Sequence, residues 1–226
     1  MVGSLDLIRL PLGVAQREAI RLRRTSPPEA IFSKVLLAVR LRAMPLPVSQ
    51  LTTFGYLGLW PDVDGREAFR TENLRPGRAR RHLALDLRPV QSFGTWQGID
   101  PLAGVSSNPD DGPVLLVTHS RTRAASMARF MMADGPVVRA LSRQGGHLWA
   151  GGFMDGILTL DSGTLSLWRS TADATRFAYA PGVHQEAVKS QRQGGWFSES
   201  WFARFAVTRA EGDWRGIDPT RLSRHS

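Results

Sequence analysis

"TWQGIDP" at residues 95–101 and "DWRGIDP" at residues 213–219 share the frame Trp-x-Gly-Ile-Asp-Pro, 118 residues apart in a chain of 226. A second pair, "GYLGLWPDVDGREAF" from residue 55 and "GTLSLWRSTADATRF" from residue 163, matches at an offset of 108. The apolar runs "LDLIRL" from residue 5 and "VLLVTH" from residue 114 match at an offset of 109. Because a duplicated unit repeats the order and spacing of its landmarks, the sequence predicts two similar halves, at residues 1–105 and 113–226.

The offsets also show where the halves differ. They rise from 108 at Trp60 and Trp168 to 118 at Trp96 and Trp214, so the second half contains ten additional residues between its two tryptophans. That longer stretch includes "APGVHQEAVKSQRQGGW" at residues 180–196. The expansion therefore brings a histidine, His184, for which the first half has no counterpart.

Composition excludes several kinds of chemistry. The chain has no cysteine, which excludes disulfides, thiolate metal ligands and covalently attached haem. Its net charge of +9 comes mainly from dispersed arginines, and one cluster, "RPGRARR" at residues 75–81, contains the proline and glycine of an exposed loop. We expect this cluster to be solvated and not to bind nucleic acid specifically. The chain has no apolar run that approaches the length of a membrane span, about 18 residues, and no leader is visible. The expected location is therefore cytoplasmic.

Local patterns predict alternating strands and helices. In the first half they indicate strands at residues 5–10, 51–60 and 82–90, and helices at 14–24, 26–42 and from 61 to about 71. In the second half they indicate strands at 114–118, 147–153, 157–168 and 202–207, and helices from about 121, at 172–180 and, as an addition, at 183–193. This order is typical of the ferredoxin-like α+β unit. Two such units packed sheet to sheet predict an α+β barrel with helices outside, in which the repeated Trp-x-Gly-Ile-Asp-Pro corner is structural.

One histidine offers candidate chemistry. None of the five histidines has the spacing of a multi-histidine metal site. His184 stands near the start of the predicted helix 183–193, and a single imidazole on a partly apolar helical face suits the axial position of a b-type haem. Arg123, Lys189 and Arg192 would then pair with the haem propionates. An ordinary surface or core histidine fits the same local pattern.

Residues 181–219 resemble the C-terminal region of the spheroidene monooxygenases, a haem-containing family of carotenoid oxygenases. The resemblance lies in a Gly-x-His-x-x-Ala helix around His184, a Gly-Trp-Phe turn at 195–197, an Ala-Arg-Phe strand at 203–205 and Gly-Asp-Trp at 212–214. Weaker likenesses include "LGLWPD" at residues 57–62.

This resemblance implies a monooxygenase that binds haem b through His184. It also implies that the enzyme uses O₂ and takes electrons from a donor such as a ferredoxin. The substrate would be a small or apolar molecule, a carotenoid or another natural product, and a homo-oligomer is compatible with the fold.

Three alternatives stay open from the sequence. The first is a haem enzyme of the same fold that oxygenates the nitrogen of a natural-product amine. The second is a non-enzymatic RNA-binding protein that uses Phe54 and Tyr56 of "FGYLGL" as stacking platforms. The third is a small-molecule-binding barrel without a cofactor, in which His184 is structural.

Overall fold

Eight strands and three complete α-helices lie within the part of the chain that the structure describes. The computed structural model describes residues 1–25, 27–40, 48–74, 76–108, 111–130, 141, 143–156, 160–179 and 194–222. The elements in chain order are β1 Val2–Arg9, α1 Val14–Arg24, β2 Phe32–Arg40, β3 Val48–Trp60, α2 Val63–Phe69, β4 Arg81–Gly94, β5 Val114–Thr122, β6 His147–Met154, β7 Asp161–Trp168, α3 Thr171–Tyr179 and β8 Phe197–Gly212. Within the described ranges, no helix is both long enough and apolar enough to cross a membrane.

The strands close into one antiparallel barrel in the order β1-β3-β2-β6-β7-β5-β8-β4. The first half contributes β4-β1-β3-β2, and the second contributes β8-β5-β7-β6, which is the same ferredoxin-like order. The halves join where β2 pairs with β6 and β4 pairs with β8. The predicted α+β barrel of two ferredoxin-like units is therefore confirmed.

Strand pairing fixes which residues correspond between the halves. Val2 pairs with Trp60 and Val114 pairs with Trp168, so β1 matches β5 at an offset of 112. The same comparison gives 108 for β3 and β7, 117 for β2 and β6, and 118 for β4 and β8. The offset of 109 taken from the apolar run was wrong. Part of each strand, Leu7-Ile8 in β1 and residues 114–117 in β5, is apolar on both faces, so a slip of three residues still aligned hydrophobic side chains.

The predicted helix at residues 26–42 is also wrong, because residues 32–40 form the strand β2. Val35 belongs to the apolar cluster outside the barrel and Leu36 to the core inside it, and both are buried. A strand covered on both faces carries a continuous apolar run that periodicity cannot distinguish from a helix. The helix expected from residue 121 also begins later, because β5 continues to Thr122. The helix predicted at 183–193 lies outside the described residues.

The repeated corner has the same backbone in both copies. Trp96 bridges to Ile99 and Trp214 to Ile217, and each corner follows a strand that ends in a glycine with positive φ, Gly94 or Gly212. A Cβ on either glycine would lie 2.1 Å from a carbonyl oxygen of the neighbouring strand. The repeated unit is therefore Gly-x-Trp-x-Gly-Ile-Asp-Pro, and its first glycine allows the strands to approach closely.

Candidate functional site

The outer face of the second half is a surface of small side chains. Strand alternation turns Val117 and His119 into the barrel and their neighbours outward. Three rows of paired residues cross this outward face through β6, β7, β5 and β8. The rows are Met154-Ser162-Ser120-Ser200, Gly152-Thr164-Thr118-Phe202 and Ala150-Ser166-Leu116-Arg204. Eight of the twelve positions hold glycine, alanine, serine or threonine, so a flat molecule can approach the backbone closely.

The equivalent face of the first half is filled. Its rows are Leu37-Phe54-Ile8-His82, Val35-Tyr56-Asp6-Ala84 and Ser33-Gly58-Ser4-Asp86. Phe54 and Tyr56 are buried in one cluster with Ala15, Ala19 and Leu22 of α1. Their exposures of 2% and 1% make these rings unavailable as stacking platforms for RNA bases. Helix α1 covers them together with α2, whose Phe69 stacks on Tyr56 with ring centroids 4.6 Å apart.

Partly buried polar groups lie along the second outer face. The Nε atom of Arg204 is buried and has no hydrogen-bond partner among the described residues, and burial lowers the pKa of its guanidinium. His147 packs edge-on against Trp168 with ring centroids 5.3 Å apart. Burial lowers the pKa of His147, and its Nε2 likewise has no partner in the described part of the chain. Because buried polar atoms are usually paired, the Nε of Arg204 marks a place where an anionic group of a ligand could bind.

The site residues predicted from the sequence fall into two groups. Arg123 is described: it follows β5 directly, its side chain is exposed, and its backbone N–H donates to the Trp196 carbonyl at 2.8 Å. His184, Lys189 and Arg192 lie outside the described residues, so their roles stay predictions. Across the described ranges, no group of three or more histidine, aspartate or glutamate side chains is arranged to hold a metal ion.

Sequence reasoning overlooked Arg204, which it noted only as part of the Ala-Arg-Phe strand. A signal for the surface around it was present in β5 and β7. In β5 every residue of "THSRT" at residues 118–122 is polar, and in β7 polar residues occupy every second position of "SGTLS" at residues 162–166. This period of two indicates a strand with one face left uncovered by apolar packing.

A second polar cluster lies inside the barrel, at the end where Trp96 of the first Trp-x-Gly-Ile-Asp-Pro corner packs. His119 is fully buried and stacks on Trp96, with ring centroids 4.2 Å apart and an interplanar angle of 7°. Its Nε2 lies 3.1 Å from Asp161, which also binds Arg121 at 3.0 Å. Burial lowers the pKa of His119 and outweighs the opposing effect of Asp161. The imidazole is therefore neutral at pH 7 and forms part of the packing.

A closed barrel of two ferredoxin-like units with a small-residue outer face defines a protein of the dimeric α+β barrel class. Two solved structures of aldoxime dehydratase share this fold. One, in complex with butyraldoxime, has a TM-score of 0.61 at 10% identity, covering 98% of this chain and 85% of the other. The second has a TM-score of 0.56 at 12% identity, covering 98% and 87%. At these identities the likeness concerns the fold alone.

Sequence comparison identifies nearer relatives. The spheroidene monooxygenase of Rhodobacter capsulatus is 28% identical over 143 residues, covering 62% of this chain and 59% of that protein. The enzyme of Cereibacter sphaeroides is 26% identical over 168 residues, covering 72% and 52%. No family model matches the chain. The chain thus spans between half and three fifths of the length of these relatives, and the predicted resemblance to the spheroidene monooxygenases is confirmed.

Proposed function

We propose that this protein is a haem-dependent monooxygenase whose haem lies against the outer face of the second half. The observation that carries the proposal is the contrast between equivalent faces. One is filled by aromatic residues and a helix, and the other consists of small residues beside a partly buried arginine. The similarity to proteins named spheroidene monooxygenase supports oxygenation as the reaction.

The residues on this face fit a haem. A flat macrocycle requires a surface without protruding side chains, and the rows through Ser162, Thr164 and Ser166 offer one. Its propionates require cations. Arg204 offers a buried guanidinium nitrogen without a partner among the described residues, and Arg123 offers an exposed guanidinium at the end of β5. Lys189 and Arg192 are further candidates by prediction.

The haem iron, when bound, supplies the capacity to bind and activate O₂. The chain's own residues position the reactants. Arg204 would anchor a propionate carboxylate by charge-assisted hydrogen bonding. His184 would hold the group through one imidazole nitrogen, and its other nitrogen would donate to a protein acceptor. Trp168 and Phe177 exclude water from one edge of the face. The Thr118 and Thr164 hydroxyls can each donate one hydrogen bond and accept others near the substrate. Electrons come from an external donor, and the substrate is a small or apolar molecule.

The test is a haem titration of the purified protein, followed by the Soret band and by tryptophan fluorescence. We expect uptake of one haem per chain. His184→Ala should abolish the wild-type spectrum, and Arg204→Gln should weaken binding by about tenfold or more, because it removes one charge-assisted hydrogen bond. His147→Ala and His119→Leu are the controls and should retain the wild-type spectrum. Folded protein that takes up no haem would refute the proposal. Loss of the spectrum in a control, or its survival in His184→Ala, would refute the ligand assignment.

A further inference from the structure

One row of three residues carries a different set of charges at the two ends of the barrel. At the first end, Thr53, Arg9 and Arg81 lie side by side on β3, β1 and β4. At the other end, the equivalent row on β7, β5 and β8 consists of Asp161, Arg121 and Glu199. Arg121 is thus flanked by two carboxylates, with its guanidinium 3.0 Å from Asp161 and 3.8 Å from Glu199. Arg9 is flanked by a threonine and a second arginine.

A cavity of about 220 Å³ opens at the Arg9 end. Leu7, Leu36 and Leu165 form its apolar part, and Trp149 and Trp214 also line it. The cavity lies where Leu7 and Leu36, with Leu83 beside Leu7 on β4, are smaller than their equivalents at the other end. Those equivalents are His119, Phe153 and Trp201, which pack around Trp96. The volume corresponds to about seven water molecules at about 30 Å³ each, which suits a small organic molecule.

The polar lining of this cavity is cationic. Arg9, Arg81 and Arg215 contribute to it, and its lining includes no aspartate or glutamate in the described part of the chain. Arg81 pairs at 2.9 Å with Asp213, a residue whose side chain is 67% exposed and does not line the cavity. Arg9 forms no ion pair with any described residue. A cation held in a partly enclosed site without a counter-ion is unfavourable. An anion that enters would therefore pair with Arg9 without displacing a protein carboxylate.

The position of Arg81 also corrects an expectation from the sequence. Residues 75–81 were predicted to form an exposed loop. Arg78 and Arg80 are exposed, but Arg81 is the first residue of β4, and its side chain is only 30% exposed. The last arginine of the basic cluster therefore belongs to the cavity.

We propose that this end of the barrel binds a small aromatic monocarboxylate. The carboxylate takes the place beside Arg9 that Asp161 takes beside Arg121 at the opposite end. The ring occupies the space between the leucines and the two tryptophans. Arg9 and the leucines of this site lie inside the barrel, whereas the proposed haem face lies outside it, and the two share only Ala150 and Gly152 of β6. Because the test below uses no haem, failure of one proposal is distinguishable from failure of the other.

The test uses benzoate as the probe and benzamide as its uncharged isostere, with the wild-type chain and no added haem. Calorimetry reports binding, and a change in the tryptophan fluorescence, to which Trp149 and Trp214 contribute, supports it. We expect saturable binding of one benzoate per chain, and benzamide at least about tenfold weaker, which corresponds to the loss of about 1.4 kcal/mol. Equal affinities for the two probes, or no saturable benzoate binding up to about 10 mM, would overturn the proposal.

Two variants test the role of the row itself. Thr53→Asp gives the first end the carboxylate that the other end already has, and it should abolish benzoate binding because an internal anion then occupies Arg9. Arg9→Gln should weaken binding by about tenfold or more. Arg176→Gln, at a side chain that is 68% exposed on α3, is the control and should bind benzoate like the wild type. Undiminished binding by folded Thr53→Asp would overturn the assignment.

Discussion

Phe54 and Ser162 occupy equivalent positions on β3 and β7, yet one is 2% exposed beneath α1 and the other belongs to a row of serines. The same contrast holds for Tyr56 and Thr164 one row further along. The two halves retain the residues on which the shared backbone depends, such as the glycines of the Trp corners. They differ in the side chains on their outer faces, which the shared backbone does not constrain. A duplicated fold can therefore carry large packed side chains on one face and small side chains on the other, where the haem is proposed to lie.

The charged residues of the two faces show the same difference. In the first half, Asp6 and Asp86 share Arg70, and Asp6 also accepts from His82 at 2.9 Å. The positions equivalent to Asp6 and Asp86 hold Thr118 and Arg204 in the second half. Charges on the first face are neutralised within the chain. The Nε of Arg204 on the second has no partner among the described residues, as expected where a ligand supplies the anion.

The largest effect should come from truncating the packed face. Phe54→Ala removes a buried ring from the cluster under α1 and should lower the free energy of unfolding by about 3–5 kcal/mol. Ser162→Ala changes the equivalent position of the second half and should alter it by no more than about 0.5 kcal/mol. Urea denaturation of both variants measures the difference. Similar losses in the two variants would show that both faces are packed alike.

An intermediate effect should follow from transplanting a residue between the faces. Thr164→Tyr places the side chain of Tyr56 on the second face, where it would protrude into the surface that the haem is proposed to use. We expect haem affinity to fall by at least about tenfold, or about 1.4 kcal/mol, while the unfolding free energy changes little. Ser106→Tyr, at an exposed position between the halves, is the control for adding a tyrosine. Full haem occupancy in Thr164→Tyr would place the haem elsewhere.

The sequence was sufficient for the architecture because repeated landmarks survive in order even when the faces diverge. It was insufficient for the register. The correct offset of 112 between β1 and β5 depends on which residues pair across strands. The short apolar runs at Leu7-Ile8 and at residues 114–117 permit several alignments. The strand β2 was mistaken for a helix for the same reason. Burial on two faces removes the alternation from which strands are recognised.

The candidate sites were predicted less completely than the fold. His184 came from one local motif and remains a prediction. The significance of Arg9, Arg81 and Arg204 depends on which groups lie beside them on neighbouring strands. Arg9 and Arg121 occupy equivalent positions. Arg121 is neutralised by carboxylates on the neighbouring strands, whereas Arg9 has no such pairing among the described residues, and these neighbours are distant in sequence. No local pattern contains that information.

The smallest effect concerns the pH dependence of stability at the closed end of the barrel. Burial lowers the pKa of His119, although Asp161 opposes the shift, so the folded protein keeps this imidazole neutral where the unfolded chain would protonate it. Below about pH 6.5, the ordinary pKa of histidine, the unfolded state therefore binds more protons, and the free energy of unfolding decreases as the pH falls. His147 contributes in the same direction, because burial also lowers its pKa.

His119→Leu should make this dependence shallower by at most one proton per molecule, leaving the contribution of His147. Urea denaturation at a series of pH values from 7.5 to about 5.5, a range chosen to bracket the ordinary histidine pKa, measures the slope. An unchanged slope would mean that His119 is charged in the folded state. Leucine is the residue that the fold already has at the equivalent position, Leu7, and Asp161 keeps Arg121 as its partner in the variant. A change in slope can therefore be assigned to the lost proton-binding group, because the loss of the His119 stacking on Trp96 lowers the free energy of unfolding by the same amount at every pH.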